Sequence, residues 1–545
     1  MKNTLLFITF FLYAIPTSAQ SKYFERKYQI SSNTNHNGFA ILEDQYHNYV
    51  ITGETLNDTA DISCPFILVI DENGNVVNDN QYIDQNNIQT SGRDIVFADN
   101  TCALAGWGVV NEEAESYFIM LDSQYTLINS EYIGQLPYSD NPYTICRTSD
   151  NNFFLGGEIQ PYDSTVSSPP THPYLIKLDS SGNKLWDTIY YQFGPPHYSF
   201  FTDSKATSTG GALLLGTDRV SVGYYQGNIL LIKIDSSGNI LQQAIFNYGR
   251  LEYGSSITVT SDGGYLVTGG WMVFPDIAHN KGGVIIRLGS NMLEFWHNDD
   301  FFYNYVVSGG AIEAANGGYV ISGSGEEESG WWGYELNAEI IKLSTDNELL
   351  WQRRYGRNNY SNDYVYDMIA TSDGGYIMCG RFDTIGIAKI YVLKTNCMGL
   401  LTEPQAEFDT QTEADYTVSF FNQSQYTYPD SIDGGHYRWD FGDGSPPYTC
   451  GQGYAPCPAV VQHTYAQAGT YTAQLTAIVC SDTAQVTQTV AASAVGMPAL
   501  VGQEGDIKVY PNPASETLSL RYKGTQAARW VLYDMSGRIC KQLTL

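Results

Sequence analysis

Short apolar runs, each closed by a glycine, recur seven times along the first 400 residues. They read Asn48-Tyr49-Val50-Ile51-Thr52-Gly53, Thr101-Cys102-Ala103-Leu104-Ala105-Gly106, Asn152-Phe153-Phe154-Leu155-Gly156-Gly157, Gly211-Ala212-Leu213-Leu214-Leu215-Gly216, Gly264-Tyr265-Leu266-Val267-Thr268-Gly269, Gly318-Tyr319-Val320-Ile321-Ser322-Gly323 and Gly375-Tyr376-Ile377-Met378-Cys379-Gly380. A small polar turn precedes each run. After a variable stretch, a second apolar run ends in a turn at Asp71, Asp122, Asp179, Asp235, Gly289, Ser344 or Asn396. Apolar runs of this length between turn residues predict buried β-strands, with Asp and Asn accepting backbone N–H groups and Gly supplying positive φ. A fourth strand follows, often with an aromatic, as in Lys184-Leu185-Trp186, Leu293-Glu294-Phe295-Trp296 and Leu349-Leu350-Trp351.

Seven units of four strands, repeating about every 55 residues, predict a seven-bladed β-propeller over residues 20–402, in which radial packing leaves little sheet edge exposed. The two ends of this region support a ring. The seventh unit runs from Ile390–Lys394 into Pro404 without an aromatic fourth strand, and Tyr23-Phe24-Glu25-Arg26-Lys27-Tyr28 parallels Leu350-Trp351-Gln352-Arg353-Arg354-Tyr355 of the sixth. The first strand is therefore expected to complete the last blade. The units resemble the delta-60 or kelch-like propeller repeats of secreted bacterial proteins, a resemblance that implies a fold and no activity.

Past residue 402 the pattern changes. Residues 403–492 carry Tyr437-Arg438-Trp439-Asp440-Phe441-Gly442-Asp443-Gly444 and, later, the alternating strand Tyr471, Ala473, Leu475, Ala477. These segments resemble the PKD (polycystic kidney disease) domain, an immunoglobulin-like β-sandwich, which implies that Trp439 and Phe441 point inward while Gly442-Asp443-Gly444 turns the strand. Asp440 and Asp443 are carboxylates that calcium could take, but turn and surface roles are preferred, and no cofactor is expected. Cys450 and Cys457, in one loop, are the expected disulfide; the other cysteines form no framework, and without a C-x-x-C pair no zinc site is expected. A linker, 493–507, leads to 508–545, where Tyr510-Pro511-Asn512-Pro513 and Tyr533-Asp534-Met535-Ser536-Gly537-Arg538 resemble the type A sorting domain of type IX secretion. That resemblance implies the type IX machinery as a partner and delivery to the cell surface. The family continues to a glycine-aromatic end and this chain stops at Leu545, so a truncated sorting domain is expected. The fold class is thus all-β: propeller, sandwich and a short β tail.

Composition narrows the compartment and the partners. The chain has 28 Lys+Arg against 58 Asp+Glu, a net charge of −30; phosphate binding needs a basic face, so nucleic acid is excluded as a partner. Lys2, the apolar stretch Leu5 to Ile15 and Thr17-Ser18-Ala19 read as a signal peptide over residues 1–19, with no cysteine after the cleavage point to carry a lipid. No later segment offers the roughly 20 apolar residues of a membrane helix.

Tight turns are expected on one face of the ring and longer connections on the other, at Trp107–Glu115, Glu158–His172, Trp271–Lys281 and Gly325–Glu335. Trp107, Trp271, Trp331, Trp332 and Tyr334 in these stretches are the candidate ligand-binding residues, because aromatic faces stack on sugars and anchor protein partners. Catalytic signals are poor. Metalloprotease, nucleophile-elbow and phosphate-loop motifs are missing, and His172, His197, His279 and His297 are scattered and read as surface groups. Glu112, Glu113, Glu115 and Glu326-Glu327-Glu328 could pair for glycoside hydrolysis but read as solvated. Ser344-Thr345-Asp346 with Trp351 partly resembles a sialidase Asp-box, with Glu348 in place of its glycine, and such boxes are structural turns. The expected function is binding or adhesion to an extracellular glycan or protein ligand, with no catalytic residues assigned; the alternative is a propeller-type glycoside hydrolase or polysaccharide lyase.

Overall fold

The computed structural model describes residues 21–494 apart from 33, 58–61, 85–88, 136–137, 161–169, 194–197, 221–225, 273–280, 300–304, 307–308, 316, 329–333, 357–360, 385–386 and 428–433; further on it describes 507–510, 519–522, 529–533 and 539–544. The expected signal peptide lies outside these residues. Two compact units emerge: Met1–Glu403 with Cys480–Asp482, and Pro404–Val479 with Thr483–Leu545.

The first unit is a ring of antiparallel sheets. In the first blade the strands Asn35–Glu43, Tyr49–Asn57, Ile62–Ile70 and Val76–Gln81 pair in chain order from the inside outward. The plan repeats with inner strands Thr90–Ala98, Ser139–Arg147, Tyr198–Ala206 and Leu251–Val259. In the sixth blade the inner strand is split into Tyr305–Val306 and Ala311–Glu313, both paired with Tyr319–Glu328. The seventh blade contributes three strands, Asn362–Ala370, Tyr376–Thr384 and Ile387–Thr395, and takes its fourth from the start of the chain. Phe24–Tyr28 pairs antiparallel with Ile387–Thr395, Phe24 opposite Lys394 and Tyr28 opposite Ile390. The seven-bladed propeller is therefore closed as the strand pattern predicts.

Apolar residues of adjacent blades meet in seven clusters, one at each interface. The one that joins the seventh blade to the first holds Ile51, Phe66, Ile377 and Val392, all at most 1% exposed. Burying an aliphatic or aromatic side chain of this size stabilises by about 1.5–3 kcal/mol, so stability is spread around the ring.

The glycine that closes each repeat has a physical cause. Inner strands carry an extra residue at one shared position, between Gly38 and Ala40, Gly92 and Asp94, Pro142 and Thr144, Phe201 and Asp203, Gly254 and Ser256, and Val365 and Asp367. Beside this bulge the inner strand presses on the next one. A Cβ on Gly53 would lie 1.8 Å from the Asn37 carbonyl oxygen, and one on Gly380 would lie 1.8 Å from that of Tyr364; only glycine allows so close a backbone approach. On the tight-turn side, a third-strand cation reaches the first turn of its own blade, as in Lys177–Asp150 at 3.5 Å, Arg287–Asp262 at 2.5 Å and Lys394–Asp373 at 2.8 Å.

The second unit contains a two-sheet sandwich. Phe408–Thr412, Thr417–Asn422 and Val461–Thr464 form one sheet; Tyr448–Gly451, His436–Asp440, Gly469–Val479 and Asp482–Ala492 form the other. Trp439, 1% exposed, packs edge-on to Phe408 at 5.3 Å and against Phe420 at 5.6 Å, and Phe441, Tyr465, Ala473, Leu475 and Ala477 complete the core. Gly442 and Gly444 turn the chain at φ 77° and 82°. Asp443 accepts hydrogen bonds from Ser445 and pairs with His463 at 2.8 Å; despite burial, these partners hold its carboxyl at about 2. Asp440 accepts from the Gly442 N–H, so both aspartates serve the turn. In the tail, Ile507–Tyr510 pairs with Ser519–Tyr522 and Arg529–Tyr533 with Ile539–Thr544.

Cys450 and Cys457 are disulfide-bonded, and so, within the first unit, are Cys397 and Cys480, a pairing that sequence spacing does not suggest. Cys64, Cys102, Cys146 and Cys379 are free and buried.

Candidate functional site

The bulges determine what faces the axis of the ring. An extra residue in a strand re-aims the side chain it carries, and here the bulged residues Phe39, Arg93, Tyr143, Thr202, Ser255 and Tyr366 line one central cavity of about 430 Å³. Its wall is lopsided. Blades one, three and seven present Phe39, Tyr143 and Tyr366, whereas blades four and five present only Thr202 and Ser255.

That wall continues toward the end where each inner strand enters from the preceding blade. Phe39 meets Tyr366 at 5.5 Å, Tyr366 stacks on Tyr364 at 6.1 Å, and Tyr143 meets Phe200 at 5.9 Å. Polar groups edge it. Tyr143 donates to Glu158 at 2.7 Å, Asn37 donates to Glu54 at 2.8 Å, and Arg381 donates to Asn37 at 3.2 Å. Glu54, Glu158 and Arg381 occupy the same place in their blades, directly after the closing glycine, and so does Trp107. Burial pushes the Tyr366 phenol up to about 12, and burial with Glu158 alongside raises that of Tyr143; both stay protonated as hydrogen-bond donors.

Three carboxylates sit one residue past the bulge, at Asp94, Asp203 and Asp367. Each bridges two blades. Asp94 accepts from its neighbour Ile95 N–H at 2.8 Å and from Ile145 N–H of the next blade at 2.8 Å. Asp203 accepts from Ser204 N–H at 2.7 Å and from Ile257 N–H at 2.8 Å, and Asp367 from Met368 N–H and Ile41 N–H, both at 2.8 Å. Lys205 adds an ion pair to Asp203 at 2.9 Å. Burial pushes Asp94 up to about 6 and Asp367 up to about 7, against the pull of those N–H groups.

The residues singled out in the sequence do not come together. Trp271 was expected in a loop, but it lies in the strand Tyr265–Met272, 4% exposed, its indole N–H donating to the Gly283 carbonyl and its ring covered by the Arg250 guanidinium at 4.0 Å. The ladder runs three residues past the closing glycine and carries the tryptophan into the core between blades. Trp107 is likewise a strand residue, half-buried. Its supposed loop is a tight hairpin whose tip, Asn111-Glu112, has φ 54° and 73°. Trp331 and Trp332 lie outside the described residues, as does the Tyr334 side chain; the Tyr334 backbone begins a strand. Glu326 is also in a strand, ion-paired with Lys281 at 2.5 Å, and Glu115 is buried. His172, expected at the surface, is 4% exposed within a strand, and His297 bonds to Glu294 at 2.6 Å; His197 and His279 lie outside the described residues. Among the described residues no three His, Cys, Asp or Glu side chains gather as metal ligands.

Residues 402–494 match the PKD domain family, and that segment is a PKD domain. No curated protein matches the chain. Among solved structures it is similar to the PKD1 domain of Vibrio anguillarum Epp, 27% identical over 17% of this chain and 95% of that one, with a TM-score of 0.13. It is also similar to an ulvan lyase of polysaccharide lyase family PL25, 7% identical over 68% and 96% of the two chains, TM-score 0.46. A third likeness is to CoXyl43, a GH43 β-xylosidase/α-arabinofuranosidase from a compost microbial metagenome, 10% identical over 54% and 98%, TM-score 0.31.

Proposed function

We propose that this is an extracellular binding protein that takes a saccharide into the entry side of the propeller channel. The carrying observation is the set of aromatic rings Phe39, Tyr143 and Tyr366 that line the cavity, extended by Tyr364 against Tyr366 and by Phe200 against Tyr143, and edged by Asn37, Glu54 and Glu158. Sugar rings combine apolar faces with hydroxyl edges, and a wall of aromatic faces with polar groups along its rim complements both. Trp107 shares the register of the rim and extends it, and Trp331, Trp332 and Tyr334 are further candidates from the sequence. The PKD domain, a module of extracellular proteins, serves as spacer or accessory binding module. Residues 1–19 act as the signal peptide and 508–545 as the sorting segment read by the type IX machinery, leading to the cell surface; no helix among the described residues is long and apolar enough to cross a membrane. A protein ligand would use the same aromatic anchors.

One observation favours an enzyme instead. Asp94 and Asp367 line the cavity with carboxyls raised to about 6 and 7, the range of a general acid. Against it, the oxygens of both are engaged by backbone N–H groups of two blades. A glycan array read with the parent protein and with a Tyr143→Ala/Tyr366→Ala variant separates the readings. The parent is expected to retain a defined set of saccharides and the variant to lose them, since such anchors carry roughly 2 kcal/mol each. Release of new reducing ends by the parent, lost in Asp367→Asn, would establish the enzyme.

A further inference from the structure

Arg93 stands apart from the other cations that line the cavity. Acidic residues outnumber basic ones about two to one in this chain, and the other two cations of the cavity wall are paired, Lys205 with Asp203 at 2.9 Å and Arg147 with Asp99 at 2.6 Å. Arg93 is not. It lines the cavity, its guanidinium rests on the Phe39 ring at 4.5 Å, and its Nε is buried without a hydrogen-bond partner; among the described residues no carboxylate pairs with it. Its position is set by the chain, because it is the bulged residue of its inner strand and is thereby turned to the axis beside Tyr143 and Phe39.

A buried donor left unmade is costly, and a guanidinium fork matches an oxyanion in two parallel bonds. The neighbouring carboxylates do not fill that role. Asp94, the residue directly after Arg93, and Asp367 aim their oxygens at backbone N–H groups, and Asp203 is answered by Lys205. We propose that the saccharide taken into the channel is acidic, with a carboxylate or sulfate of its sugar rings bound by the Arg93 guanidinium while the ring face lies against Phe39, Tyr143 and Tyr366. This deepens the saccharide-binding reading and rests on it.

The test is calorimetric titration of the full-length protein with matched pairs: oligogalacturonate against its methyl ester, and a sulfated galactan oligosaccharide against the same oligosaccharide desulfated. The expected result is that the acidic member of at least one pair binds about tenfold tighter or more, the pair identifying the oxyanion, and that Arg93→Ala brings that ratio close to one. Arg93→Lys should retain part of the preference, since it keeps the charge and loses the fork. If Arg93→Ala does not fold, the parent decides alone: affinity for the acidic member must fall as ionic strength rises, and affinity indifferent to salt overturns the proposal. Equal binding of acidic and neutral members overturns it while leaving saccharide binding intact. Failure of every saccharide to bind overturns both.

Discussion

Asp94, Asp203 and Asp367 stand in blades two, four and seven, and each carboxylate does for two blades what a carbonyl does within one sheet. Asp203→Ala would leave the N–H groups of Ser204 and Ile257 without acceptors and Lys205 without its partner; unfolding in urea is expected to show a loss of about 1–3 kcal/mol, the usual cost of stranding buried donors. Trp439→Ala in the sandwich should cost about 3–5 kcal/mol, because the ring is held between Phe408 and Phe420. Calorimetry of the full chain checks this, the sandwich transition moving and the propeller transition staying. These two sites differ in how visible they are in sequence. Trp439 sits in a recognisable motif on a regular strand. The channel residues were not read, because the bulge places two successive residues, Arg93 and Asp94 for example, on the same cavity, and a period-two reading sends them to opposite faces.

Strand Phe24–Tyr28 is the element on which the ring depends. It covers the outer edge of Ile387–Thr395 with five paired residues, and an uncovered edge is both unstable and a template for association. Deleting residues 20–30 should lower the propeller melting temperature by many degrees and promote dimers or aggregates in light scattering; a melt equal to that of the parent would mean that the last blade stands with three strands. This element was legible, since Tyr23–Tyr28 repeats the residue order of Leu350–Tyr355. The ends of the second and third strands were not. Glycine looked like a terminus, yet it marks the point where the neighbouring carbonyl comes closest, and the ladder continues beyond it to Met272 and to Val110. Trp271 and Trp107 were therefore assigned to loops that the backbone does not form.

At the scale of the molecule, two sets of carboxylates pull stability in opposite directions with pH. Burial raises Asp94 to about 6 and Asp363 and Asp367 to about 7, above the value of about 3.9 in an unfolded chain. Between those values the native protein holds protons that the unfolded chain has released, so stability should rise as pH falls from about 8 to about 5. Asp262 is held at about 2 by Thr260, the Gly264 N–H and Arg287, and Asp373, despite burial, at about 2 by Lys394. These two have the opposite sign, and their contribution is lost as pH drops below about 4. Urea midpoints should therefore peak between about pH 4 and pH 6; a midpoint higher at pH 8 than at pH 5 would count against the buried-carboxyl account. The closed ring also carries a consequence in time. Phe24 is made long before its partner Lys394, which appears only when all seven blades have been written. Until then the opening strand has no place to go, and the growing chain must keep it unclaimed by wrong neighbours. The last event of assembly is the capture of the ring's earliest strand by its last blade, so the ring cannot be finished halfway.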